Sequence, residues 1–142
     1  MIPDGDIRLR HALAAEDADA IVRLWAEIGW GRGAAAEEHV VRDAFAGSCW
    51  IAIAELDGCF AGYARAVGDG VLITYLAEVA VLPRQRRSGV GGALIRACLD
   101  AFPHTAIYAD AVPGMVGLNA RCGLVPRPAR LVACSRGPLG RS

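Results

Sequence analysis

Apolar and polar side chains alternate through residues 7–13, IRLRHAL, the period of two that belongs to a strand with one buried face. The period then changes. Ile21, Leu24, Trp25 and Ile28 recur at helical spacing behind Asp17, whose carboxylate suits a helix cap, so a first helix follows the first strand. Residues 34–46 predict a second helix that turns Val40, Val41, Ala44 and Phe45 inward and places Glu37 and Glu38 near its positive end. Strand-like runs return at 49–56, 59–67 and 71–82. They are joined by the tight-turn sequences Asp57-Gly58 and Gly68-Asp69-Gly70, which predict an antiparallel meander. A third helix spans 89–102 with Leu94, Ile95, Cys98 and Leu99 on one face, and Pro103 stops it. Residues 104–112 predict a fifth strand, 113–122 a fourth helix weakened by Gly114 and Gly117, and 130–135 a last strand. This is one α/β domain of the α+β type over residues 1–135, with a glycine- and proline-bearing tail at 136–142 expected to lack fixed structure.

Composition narrows what such a domain can do. The 142 residues suffice for one core, and no run approaches the roughly 18 consecutive apolar residues of a membrane helix. The opening MIPDGDIRLR carries acidic residues where an export signal would be basic and then apolar, which points to the cytoplasm. Fifteen basic residues balance fifteen acidic ones, so the excess positive charge of a nucleic-acid binder is missing. All the basic residues are arginine. A lysine-bearing phosphate loop, a pyridoxal Schiff base and a lysine nucleophile are therefore excluded. His11, His39 and His104 share no metal-like spacing, and no metal is expected. The five cysteines include no Cys-x-x-Cys pair, and three sit in apolar runs, so they read as buried free thiols.

The most pointed feature is VAVLPRQRRSGVGGAL, Val79 to Leu94. A strand that runs through a short loop into a glycine-opened helix presents unpaired N–H groups and the positive helix end, a natural seat for phosphate. Gly89, Gly91 and Gly92 let an anion approach the backbone, while Arg86, Arg87 and Ser88 add charge and hydrogen bonds. The dinucleotide-binding pattern fails because Leu94 stands where its third glycine belongs.

These sixteen residues resemble motif A of the GNAT superfamily of N-acetyltransferases. Arg86, Gly89 and Gly91 match its Arg/Gln-x-x-Gly-x-Gly/Ala pattern in register, and Val79, Ala80, Val81, Pro83 and Leu94 fit the flanks. The order of elements along 7–135 is similar to the family's as well. The resemblance implies a central mixed, mostly antiparallel sheet, helices on both faces and a splay between strands four and five. It implies acetyl-CoA as co-substrate, its pyrophosphate on the N–H groups of Arg87, Ser88, Gly89, Val90, Gly91 and Gly92. The pantetheine arm would lie along strand four at Val79 and Val81, with Ala80 between them.

On the acceptor side the resemblance implies Glu78 as general base and the Val79 N–H as donor to the oxyanion. The tyrosine that commonly protonates the leaving thiolate has no counterpart here: GLNARCGL puts Asn119 at its place and Leu124 after Gly123. Tyr108 and Cys122 are possible substitutes, and Tyr108 is the catalytic candidate beside Glu78. Trp30, Arg32, Arg65 and Asp69 are candidate wall residues for the acceptor. Asp69, Glu78 and Asp110 at one mouth would draw a cationic amine, whereas Arg32 and Arg65 would draw a carboxylate or phosphonate, and sequence does not choose. The expected activity is direct transfer of acetyl to a primary amine of a small molecule, with no nucleic-acid or membrane partner and a homodimer left open. Other acyl donors, a protein N-terminus as acceptor, and a CoA-binding sensor without catalysis stay open beside it.

Overall fold

The structure is a computed structural model of the chain, described for residues 5–31, 37–127 and 132–137. Five strands form one sheet in chain order: β1 (Ile7–Arg10), β2 (Trp50–Leu56), β3 (Cys59–Gly68), β4 (Ile73–Val81) and β5 (Ala106–Tyr108). The first four pair antiparallel and β5 joins β4 in parallel. Asp57 and Gly58 take φ of +52° and +82°, the left-handed pair that a two-residue hairpin turn requires between β2 and β3.

Helices α1 (Asp17–Ile28) and α2 (Glu37–Ala46) cover one face, and α3 (Val90–Ala101) with α4 (Val116–Arg121) covers the other. Strand alternation sorts the side chains between them. Ile53, Tyr63 and Ala80 face Ile21, Leu24, Val41 and Phe45, while Ala52, Ala54, Ala64 and Ala66 face Val90, Leu94, Ile95 and Cys98. Two bulges interrupt the sorting: Ala61 is the extra residue opposite Ala54 and Glu55, and Ala77 the extra residue opposite Arg65 and Ala66. The second matters for the site. It puts Leu76 on the α3 face but Glu78, two residues on, with Ala80 on the α1 face.

Several sequence expectations need correction. Asp17 does not cap α1 from outside but stands inside its first turn, 2% exposed, because Arg10 takes both its oxygens at 2.9 Å and the Ala14 N–H takes Oδ2 at 2.7 Å. Val40 is exposed, since α2 turns only Val41 and Phe45 fully inward. Residues 132–137 form no strand, and 34–36, 128–131 and 138–142, which carry the start of the second helix and parts of the last strand and tail, lie outside the described residues. All five cysteines are free, but Cys98 alone is buried; Cys49, Cys59 and Cys134 are exposed and Cys122 is half-buried. No helix among the described residues is long and apolar enough to cross a membrane.

Candidate active site

Parallel pairing of β4 with β5 lasts for three residues, Ile73, Thr74 and Tyr75 against Ala106, Ile107 and Tyr108. Beyond Tyr75 the strands part. The gap holds a cavity of about 160 Å³, walled by residues 76–79 of β4 on one side and by residues 109–112, Met115 and Asn119 on the other, with Trp30 at its rim. No strand among the described residues pairs with the outer edge of β4 from Leu76 onward, so that edge keeps backbone groups for an extended ligand.

Glu78 lines this cleft and is held by its neighbours on β3. Its Oε2 accepts from Arg65 Nε at 2.6 Å and from the Tyr63 hydroxyl at 3.1 Å. Tyr63 in turn accepts from Trp25 Nε1, on α1, at 2.7 Å. Burial first, and the charge of Glu78 next, push the Tyr63 hydroxyl far above its ordinary range, so it serves as a donor and not as an acid. Oε1 of Glu78 has no hydrogen-bond partner among the described residues. Across the cleft Asp110 Oδ2 accepts from the Tyr75 hydroxyl at 2.8 Å, a bond that raises the Tyr75 pKa.

β4 runs on through a 3-10 turn, Pro83–Gln85, into the loop that starts α3. Arg86 is extended, Arg87 takes φ +67° and Gly89 φ +92°, a left-handed value that favours glycine at the start of the helix. No side chain among the described residues caps α3: the Ser88 hydroxyl turns back to the Gln85 carbonyl. The first N–H groups of the helix are thus left for another acceptor. Arg86 and Arg87 are exposed and form no ion pair among the described residues. Gly91 has a packing cause besides: a Cβ there would come within 3.2 Å of Leu118 on α4 and 3.8 Å of Val81 on β4.

A sheet parting between β4 and β5, with an uncapped, arginine-flanked helix following the parted strand, is matched by sequence. Residues 15–123 match the acetyltransferase (GNAT) family. The chain belongs to that family. A mycothiol acetyltransferase of Actinosynnema mirum is 37% identical, over 83% of this chain and 43% of its own length. One from Nocardia farcinica is 38% identical over 68% of this chain and 33% of its own. This GNAT chain therefore spans less than half the length of the curated relatives it matches. A GNAT family acetyltransferase of Streptococcus pneumoniae shares the fold with a TM-score of 0.71 at 19% identity, covering 96% of this chain and all of that one.

Within the GNAT domain the expected site residues separate. Trp30, Glu78 and Val79 meet at the cleft, and so does Asn119. Asp69 does not: its Oδ1 takes the N–H groups of Val71, Leu72 and Ile73 at 2.7–3.0 Å, so it builds the turn into β4. Those three bonds, that from Ile73 first, hold its pKa below the ordinary carboxylate value. Arg65 is not among the cleft walls, because its guanidinium is committed to Glu78. Tyr108 lies outside the cleft, with Arg127 over its ring at 5.0 Å, and lines a neighbouring cavity of about 690 Å³. Cys122 packs against the α3 face, and Arg32 lies outside the described residues. From sequence Trp25 is expected only as an apolar position of the first helix, and neither Tyr63 nor Tyr75 as a site residue. Tyr63 has a signal, a hydroxyl-bearing aromatic two residues before Arg65 and so on the same face of its strand.

Proposed function

We propose that the chain is an acetyl-CoA-dependent N-acetyltransferase acting on a primary amine of a small molecule by direct transfer in a ternary complex. The observation that carries the reading is the parted β4 edge, which bears Glu78 in the cleft and leads into the uncapped start of α3. The residues suit the donor. A pyrophosphate finds N–H groups from Arg87 to Gly92 and the charges of Arg86 and Arg87, and the amides of an extended arm find β4 at Val79 and Val81. Acetyl-CoA supplies an activated acyl carbon; the chain supplies orientation and proton handling.

Glu78 takes the proton of the incoming ammonium, and the freed amine nitrogen forms a bond to the acyl carbon. The oxyanion that develops accepts from the Val79 N–H; on collapse the carbon–sulfur bond breaks and the nitrogen gives up its second proton, which reaches the thiolate through water. Asn119 cannot protonate the thiolate, and Tyr108 stands outside the cleft, so water does it. A thiol pKa near about 8.5 makes that step undemanding near neutral pH.

The acceptor is a cation in this reading. Glu78 and Arg65 cancel as an ion pair and Asp69 is turned away into its loop, so the net charge these residues bring to the cleft is the negative one of Asp110. The relatives named for mycothiol support a small-molecule acceptor over a protein N-terminus.

Release of free CoA thiol from acetyl-CoA across a panel of cationic, neutral and anionic amines tests this, with turnover expected on cationic members. Glu78→Gln should lower turnover by roughly 10²-fold or more near neutral pH while acetyl-CoA still binds. Binding without thiol release on any amine would favour instead a CoA-responsive sensor, the reading that Asn119 in the cleft supports.

A further inference from the structure

We infer that Arg65, Tyr63 and Trp25 are positioning residues for Glu78, pinning one carboxylate oxygen so that the other alone is offered to the acceptor. The inference rests on the reading of Glu78 as the base and adds to it how the base is aimed. Both hydrogen bonds to Glu78 end on Oε2: Arg65 Nε at 2.6 Å and the Tyr63 hydroxyl at 3.1 Å. A carboxylate held by two donors on one oxygen loses the rotation that would exchange its oxygens, and the unbonded Oε1 becomes the defined proton acceptor.

The donors are themselves fixed. Tyr63 has no exposed surface, and its ring packs on Phe45 with centroids 5.3 Å apart. Trp25 Nε1 donates to the Tyr63 oxygen at 2.7 Å, so the Tyr63 proton is left to point at Glu78. The Trp25 carbonyl also accepts the N–H groups of Trp30 at 2.7 Å and Gly31 at 3.2 Å, at the end of α1 where Trp30 meets the cleft. One residue of α1 thus anchors the cleft rim and, through Tyr63, the base. The bulge at Ala77 completes the device, because it turns Glu78 toward these donors instead of toward α3.

Steady-state kinetics on Glu78→Gln, Tyr63→Phe, Arg65→Gln, Trp25→Phe and the doubles with Glu78→Gln tests the inference, with thermal melts confirming that each variant is folded. Tyr63→Phe and Arg65→Gln should each lower kcat about tenfold, a part of the full general-base effect, and Trp25→Phe less, with KM for acetyl-CoA unchanged. In the Glu78→Gln background the same substitutions should cost nothing further. If Tyr63→Phe does not fold, Arg65→Gln at its partly exposed site decides alone. Wild-type kcat in Arg65→Gln and Tyr63→Phe, beside a slow Glu78→Gln, overturns the inference and leaves the base in place. Losses that multiply fully in the doubles overturn it too, since they assign these residues to the fold. A Glu78→Gln variant as fast as wild type strikes the base itself, and is recognised from that single variant.

Discussion

Where α3 lies on the sheet, the strands present Ala52, Ala54, Ala61, Ala64 and Ala66, none with exposed surface, and the helix brings the bulk in Val90, Leu94 and Ile95. Where α1 and α2 lie, the strands bring bulk of their own, Ile53 and Tyr63, and a polar string from Trp25 to Arg65 threads through. Small side chains on the first face let the helix that begins at the arginine turn sit close to β2 and β3, which carry them. On the second face a tyrosine hydroxyl is tolerated in the core because both its neighbours bond it; no buried side-chain polar atom among the described residues lacks a partner. One face holds the helix of the proposed anion seat, and the other aims the proposed base. Separate faces allow each to be perturbed with little effect on the other.

The largest expected effect is on the alanine face. Leu94→Ala removes a side chain with no exposure from the α3 contact and should cost about 2–5 kcal/mol in urea unfolding. A loss under about 1 kcal/mol would show that the alanines leave room to collapse, and that the two faces do not differ as described. Next come Arg86→Ala and Arg87→Ala. Each should weaken acetyl-CoA binding about tenfold in calorimetry, more at low salt than at high, and leave the urea midpoint alone because both side chains are exposed and unpaired. Equal losses at all salt concentrations would mean that neither meets an anion.

The smallest effect separates the faces by pH. Burial raises the Cys98 thiol to about 11, with the neighbouring Cys49 adding to it. The native chain therefore keeps a proton that the unfolded chain releases from near its ordinary 9.0, so stability is whole below that pH and falls as pH rises toward 11. Burial raises Tyr63 also, and its part of the loss begins above about 10, where an unfolded tyrosine ionises. Urea midpoints against pH should fall by an amount on the order of 1 kcal/mol over the first window, and Cys98→Val should abolish that part only. Tyr63→Phe should shrink the later part and leave the share of Tyr75, whose pKa the bond to Asp110 also raises.

Much of this was legible in the chain. Hydrophobic period located four of the five strands and three of the helices to within a few residues, because each of those elements buries one face along most of its length. The ends of the chain order were less legible. β5 keeps three of the nine residues expected of it, since pairing with β4 ends where the sheet parts, and helix four shrinks to Val116–Arg121 behind a 3-10 turn, as its glycines foretold. The expected site was legible by residue type and not by partner. Glu78, Trp30 and Val79 reach the cleft, but Asp69 and Arg65, charged residues on the same hairpin, are spent on a turn and on Glu78.

What the sequence determined by itself is local. The Asp57-Gly58 hairpin, the stop at Pro103 and the left-handed entry to α3 at Gly89 follow from the conformations that those residues alone allow, and the absence of lysine excludes chemistry without reference to shape. Tertiary structure decided which face Glu78 sees, because one unpaired residue, Ala77, inverts the alternation that sequence would otherwise impose. It also decided which charges meet. Arg65 finds Glu78 through strand register, and Arg10 finds Asp17 across a strand–helix corner. Contacts between residues distant in the chain depend on how elements are laid side by side, and a one-residue shift in that arrangement leaves every local pattern unchanged.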